Sequence, residues 1–363
     1  LGLSGALLVF KNDYLRAVVP TASATISLDA AAFAEAMVKI DADHGLRGIR
    51  FVTLASDRLG VHHVGFKDET AAFADANGDL VMEWGKNGRI EEWLLDLHHH
   101  LLGGDTGEIV AGVAGLLAAS MTITGIVSWW PTLRTFSLRV VPTSLKRADI
   151  IATHRNLGVV MALPLIFLAL TGSSIVLADQ SRWLLARVLP SGEMPRPPKA
   201  SPGSLDWKAA LTEAQAAFPD ATLRLIIWPK KPTEPMTIRL RQPAEWHPNG
   251  RTLVWIDPSS SQILGTVDAL KLKPAHSVFN ALYPLHAAKL GTGFAARLVD
   301  VISALTGLAL TALGLIGGFS FVRSLAVPKK RRAKRLGSVP SFLNQKGRDK
   351  QTLNQIPRRA TWF

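Results

Sequence analysis

Ten histidines and no cysteine set the metal chemistry open to this 363-residue chain. Without thiolates, disulfides, iron–sulfur clusters and covalent c-type haem attachment are excluded, and a metal must rest on His, Met, Tyr or carboxylate ligands. Three groups of histidines stand beside long apolar stretches: His98-His99-His100, His154 and His286. A triplet on a helix points three ways, so one or two of the three can face a common interior. His98 is preferred because Leu97-His98 matches Leu285-His286, while His99 and His100 stay open as the ligand, and a solvated patch is the plain alternative. His154, next to Arg155, reads either as a ligand or as an interfacial residue meeting lipid headgroups. His44, His62, His63, His247 and His276 have no ligand-like spacing and are assigned ordinary surface or core roles. No Gly-rich dinucleotide fingerprint follows a strand, so a nicotinamide or flavin domain is not expected on this chain.

The elements that hold these histidines are membrane spans. Ile109 to Trp130, Leu157 to Ala178 and Val301 to Val322 are nearly uncharged blocks of 22 residues. At about 1.5 Å per residue each reaches across a roughly 30 Å hydrocarbon core, which rules out a purely soluble protein. Leu1 to Phe10 is apolar too, but ten residues cover only about half a bilayer. The expectation is a chain that opens within a first span. Lys and Arg near span ends stay on the cytoplasmic side, which places Arg134 to Arg155 and the tail with Lys329-Lys330-Arg331-Arg332 inside. Residues 12–108 carry a net charge of −8 and belong outside. Residues 179–290 are net +5, and are also placed outside, since long loops translocate largely regardless of charge. Most of the formal +13 charge lies in the inner loop and tail. Such a tail suits anionic lipid headgroups, and no nucleic-acid partner is expected because no aromatics interleave the run.

The sequence repeats itself. Leu1 to Phe10 overlays Leu168 to Leu177 without a gap, and each copy leads into a long outer segment, a Leu-His pair, a Gly-containing turn (Gly103 to Gly107; Gly291 to Gly293) and a new span. Two spans per unit give parallel repeats about an axis along the membrane normal. A residue near that axis faces its counterpart, and two facing imidazoles with a tetrapyrrole between them make a six-coordinate haem. The overlay also places a counterpart of His154 14 positions before Leu1.

The expected fold is a membrane α-helical bundle of four spans with two extracytoplasmic α+β domains. In order, residues 1–11 end the truncated first span, 12–97 form the first outer domain, and 98–130 the His-turn and second span. Residues 131–153 are a cytoplasmic loop, 154–178 the third span, 179–275 the second outer domain, 276–323 the second His-turn and fourth span, and 324–363 the basic tail. Leu28 to Ile40 and Asp206 to Phe218 read as helices. Gly48 to Leu54, Val61 to Phe66, Leu80 to Trp84, Leu223 to Trp228, Met236 to Leu240 and Thr252 to Ile256 read as strands. A Pro- and Gly-rich linker runs from Pro190 to Pro202.

The motifs Leu97-His98 with Gly103-Gly104, Thr124-Gly125 with Trp129-Trp130-Pro131, His154-Arg155 with Gly158, Leu170-Thr171-Gly172, and Tyr283-Pro284-Leu285-His286 with Gly291 and Gly293 together resemble the PepSY-associated transmembrane family over nearly the whole chain. The resemblance implies PepSY-like outer domains and an inner-membrane reductase that releases iron from ferric siderophores. It implies two b-type haems: one between His98 and His286 on the outer side, another between His154 and a first-span histidine near the cytoplasm. Departures are the missing first-span ligand, the extended His triplet, and Gly314 to Phe319 in place of an aromatic span exit. Electrons would come from a cytoplasmic or quinol donor on a separate component. Trp228, Trp246, Trp255 and Arg239 or Arg241 are candidate contacts for a ferric chelate, with core and rim roles as the plainer reading. The competing function is a membrane-anchored PepSY protein that binds peptides or inhibits proteases without redox activity. Transport is disfavoured, because the spans lack mid-membrane ionisable groups, with Asp300 near a span start as the exception.

Overall fold

The computed structural model describes residues 1–325, so the basic run Lys329 to Arg335, in the tail expected to meet anionic lipid, lies outside the described residues. The elements in chain order are α1 (Gly2–Leu8), α2 (Lys11–Val18), α3 (Ala30–His44), β1 (Ile49–Thr53), β2 (His62–Phe66), β3 (Ala71–Ala74), β4 (Leu80–Trp84), α4 (Ile90–His100), α5 (Gly104–Trp129), α6 (Arg147–Val160), α7 (Ala162–Val176), α8 (Ala178–Val188) and α9 (Trp207–Ala217). They continue with β5 (Thr222–Ile227), β6 (Met236–Arg241), β7 (Thr252–Ile256), β8 (Ile263–Val267), α10 (Pro274–His286) and α11 (Phe294–Leu325). The chain divides after Ile316, within α11, so every other element belongs to the first unit, Leu1–Ile316.

Two helical stretches among the described residues are long and apolar enough to cross a membrane: Gly104–Thr135, which is α5 with the turn after it, and α11. The expected third span is two helices, α6 and α7, bent by 66°. Pro164 explains the break. It has no N–H for the carbonyl of Val160, four residues back, and α6 ends at that residue. The third span exists only if this bent pair is counted as one, and α1, with seven residues, does not span by itself. Four spans are therefore not found among the described residues, which hold two, or three with the bent pair.

The outer segments differ from the expectation in a second way. Each half is a helix followed by a four-stranded antiparallel meander, but the two meanders do not form separate sheets. They join through their first strands into one eight-stranded sheet, in the order β4-β3-β2-β1-β5-β6-β7-β8. Val52 pairs with Ile226 at the seam, flanked by Phe51 with Ile227 and Thr53 with Leu225. Pairing β1 with β5 removes what would otherwise be two exposed strand edges. Alternation decides which face is covered: Met236, Ile238 and Leu240 of β6 are buried, whereas Thr237, Arg239 and Arg241 lie on the opposite face. Helices α3 and α9 pack together on the apolar face, so Phe33, Met37 and Ile40 share one core with Trp207, Leu211, Val52, Ile226 and Val254. Both helices start the same way, with Asp29 accepting from the Ala32 N–H at 2.7 Å and Asp206 from the Ala209 N–H at 3.0 Å. Trp207 of one half donates its indole N–H to Asp41 of the other at 3.1 Å.

Strands β3 and β8 go beyond the strands expected from the sequence. Ala71-Ala72-Phe73-Ala74 offers no β-branched residue, so local propensity does not mark it, and it pairs because β2 and β4 lie on either side.

His62, on β2, gives this domain a pH dependence. It is 1 % exposed, its Nδ1 accepts the Ala55 N–H at 3.2 Å, and burial pushes its pKa down to about 4. The unfolded chain then binds the proton first as pH falls, so stability present above about pH 6.5 is expected to be lost between roughly 6.5 and 4, by up to about 3 kcal/mol. Unfolding monitored at pH 7 and pH 4.5 checks this. His62→Gln, which keeps an acceptor that does not titrate, should flatten the difference by that share, and an unchanged pH slope would rule out His62 as its source.

Candidate functional site

The ends of α4 and α10 present His98 and His286 to one another, with ring centroids 6.1 Å apart and planes inclined by 30°. Each ring is held in the same manner by the residues that the repeat aligns. Nδ1 of His98 lies 3.1 Å from the Leu1 carbonyl and 3.2 Å from Ser4 Oγ. Nδ1 of His286 lies 3.0 Å from the Leu168 carbonyl and 3.3 Å from Thr171 Oγ1. A carbonyl only accepts, so in both rings Nδ1 carries the proton and Nε2 keeps its lone pair. Burial lowers both pKa values, that of His98 to about 4, so both imidazoles are neutral, the form that binds a metal.

Glycine lets the rings come this close. A Cβ on Gly5 would lie 2.8 Å from Cε1 of His98, and one on Gly172 would lie 2.6 Å from Cε1 of His286. Any side chain at either position displaces the imidazole.

Both histidines open into a cavity of about 730 Å³ whose lower wall is the helices, with Gly112, Gly115, Leu165 and Thr306 among its lining residues. A metal–imidazole bond of about 2.0–2.1 Å, added to the ring's own radius of roughly 1.1 Å on each side, separates the centroids of two axial imidazoles by about 6.3 Å. The observed spacing of 6.1 Å is close to that value, and the cavity beside the rings, about 730 Å³, is of a size that could hold a flat macrocycle. Among the described residues no three His, Asp or Glu side chains gather as a metal-ion site. A tetrapyrrole iron, already held by four nitrogens, would take one imidazole on each side, and His98 and His286 are the residues that would hold it.

The other histidines separate by direction, as a helical triplet must. His100 turns to Asp96, 3.0 Å from its Oδ1. His99 also lines the cavity, with its ring 5.9 Å from that of His98. His154, on α6, is exposed and does not line the cavity, so the structure brings together His98 and His286 and leaves His154 apart. The surface tryptophans and arginines singled out from the sequence are not on the cavity wall either: Trp255 is buried, Trp246 is exposed, and Trp228 packs against the core. Arg239 and Arg241 do not line it. The wall instead carries Arg58, Arg224, Tyr283 and Lys289, together with His63. His63 stacks on Trp84 at 5.8 Å, and its buried Nε2 has no hydrogen-bond partner. No local spacing marks these residues in the sequence: alternation along β2 puts His63 on the face opposite the α3–α9 core, but Arg224 sits at the register shift between Leu223 and Leu225 on β5, which alternation does not predict.

Comparison with curated proteins gives no match. The family model for the PepSY-associated TM region matches residues 1–335, a range that includes both histidines, the joined sheet and the apolar helices, and the chain belongs to that family of membrane proteins.

Proposed function

We propose that this chain is a b-type haem electron-transfer protein of a bacterial inner membrane, which reduces a ferric siderophore or another ferric chelate on the periplasmic side. The observation that carries the proposal is the pair of neutral imidazoles, His98 and His286, centroids 6.1 Å apart, each with its Nδ1 fixed by a backbone carbonyl. The bound haem would supply a one-electron couple. The protein's part is done by its own residues. The carbonyls of Leu1 and Leu168 fix the tautomer and ring direction, Ser4 and Thr171 add a second contact at each Nδ1, and the small residues of the helices exclude water from below.

His154 is assigned to a second haem toward the cytoplasm. The electron donor is a cytoplasmic or quinol-linked component. A siderophore complex is too large and polar to enter the apolar helices, so it meets the outer domain. One electron is sufficient for release, because ferrous iron carries less charge and binds hard oxygen donors more weakly.

Membranes containing the chain are expected to show sharp b-type bands on dithionite reduction, and the purified protein to contain haem. Right-side-out spheroplasts given a ferric chelate and an impermeant ferrous trap should report product outside. An absence of haem would sink the redox reading in favour of a binding or regulatory anchor, and ferrous iron appearing only on the cytoplasmic face would reverse the direction.

A further inference from the structure

The cavity above His98 and His286 has a cationic wall built from three separate elements: Arg58 in the turn between β1 and β2, Arg224 on β5, and Lys289 just after α10. Each donates to a neutral backbone carbonyl. Arg58 Nη2 reaches the Gly291 carbonyl at 2.6 Å, Arg224 Nε that of Pro248 at 3.1 Å, and Lys289 Nζ that of Val9 at 3.0 Å. These bonds aim the side chains without neutralising them, and the carboxylates that favour their charge, Asp57 for Arg224 and Asp300 and Asp13 for Lys289, act only from beyond ion-pair distance. None of the three forms an ion pair with a carboxylate among the described residues, although the nearby cations Lys11 and Arg297 do, with Glu92 and Asp13. Arg224 is 8 % exposed; burial and the nearby Arg241 and Arg58 oppose its charge, and Arg58 also opposes that of Lys289. A buried guanidinium beside two like charges is costly unless an anion completes the set.

We propose that Arg58, Arg224 and Lys289 form a carboxylate-binding site in the outer half of this cavity, which receives the carboxylates of a ligand seated above His98 and His286. Arg224 and Arg58 keep unused guanidinium N–H groups for a carboxylate, the geometry arginine suits best, and Lys289 adds a point charge. The site rests on the function proposed above for the identity of its occupant, and two sources offer the same chemistry. One is the pair of propionates on a haem held by the two histidines; the other is the carboxylates of an anionic ferric chelate.

The full chain, produced without haem and purified, separates the sources. It is titrated with haem and with haem whose propionates are methyl esters, read by absorbance, and with ferric citrate and an uncharged ferric hydroxamate, read by quenching of tryptophan fluorescence. If the haem propionates are the occupant, wild type prefers haem over its ester by roughly tenfold, the scale of one charge-assisted hydrogen bond, and Arg224→Gln or Arg58→Gln removes the preference. If the chelate is the occupant, haem and ester bind alike, while the glutamine variants weaken ferric citrate by about the same factor and leave the hydroxamate unchanged. Arg224→Lys, which keeps the charge, should retain most of either preference and so separates charge from packing. Preferences that are absent in wild type, or that survive in both glutamine variants, overturn the site. A wild type that takes up neither form of haem but distinguishes citrate from hydroxamate overturns the haem proposal and leaves the carboxylate site standing.

Discussion

His286→Ala and His98→Ala are each expected to remove the proposed haem completely while the chain still inserts in the membrane. The two rings lie 6.1 Å apart, so either substitution would leave the proposed haem with a single protein ligand and weakly held. Insertion should persist, because it depends on the apolar length of α5 and α11, which neither histidine contributes to. The readout is the haem-to-protein ratio with the reduced spectrum. His100→Ala should change neither, since that ring is engaged with Asp96, and His99→Ala should act weakly, since among the described residues no carbonyl fixes its ring as Leu1 fixes His98 and Leu168 fixes His286. His154→Ala is expected to affect a different haem and to leave the outer spectrum intact. Wild-type spectra and haem content in both the His98 and His286 variants would show that the outer ligands lie elsewhere.

Gly172→Val, which touches no ligand atom chemically, should nevertheless weaken the same haem by about 10- to 100-fold, the range seen when groups that orient a metal ligand are altered. A Cβ at that position would lie 2.6 Å from Cε1 of His286, with Nδ1 and Nε2 at 3.1 and 3.2 Å. The ring itself must therefore turn away, losing the Leu168 carbonyl that fixes it. Gly5→Val should do the same to His98, whose Cε1 would be 2.8 Å away. Gly314→Val is the control, since no atom lies within 4 Å of its Cβ position and valine suits a helix slightly better than glycine. Haem affinity measured for the three variants decides the matter: equal values for Gly172→Val and Gly314→Val would mean that the imidazole does not need this close approach.

The site was legible in the sequence to the extent that it is local. Leu97-His98 and Leu285-His286 ahead of Gly-containing turns, and the overlay of Leu1 to Phe10 on Leu168 to Leu177, pointed to two facing imidazoles. The structure adds the reason for the overlay: Leu1, Ser4 and Gly5 meet His98 as Leu168, Thr171 and Gly172 meet His286. In the sequence His98 stands out from its triplet only by analogy with His286, and in three dimensions the choice follows from direction. Successive residues on a helix are rotated by about 100°, so when His98 faces the axis, His100 points to Asp96. The bend at Met161 was present in the sequence as Pro164, but a hydrophobic block reads as continuous when only apolar length is counted.

Composition and periodicity by themselves determined that this is a membrane protein with α+β segments, because apolar blocks of 22 residues and period-two strands are properties of neighbouring residues. The tertiary structure alone decided that those segments make one sheet, through Val52 against Ile226, and that Arg58, Arg224 and Lys289 converge on the cavity of His98 and His286. Those contacts join residues far apart in the chain. No local propensity encodes them; they are set by which strand edges remain unpaired and which sheet face the helices α3 and α9 leave uncovered.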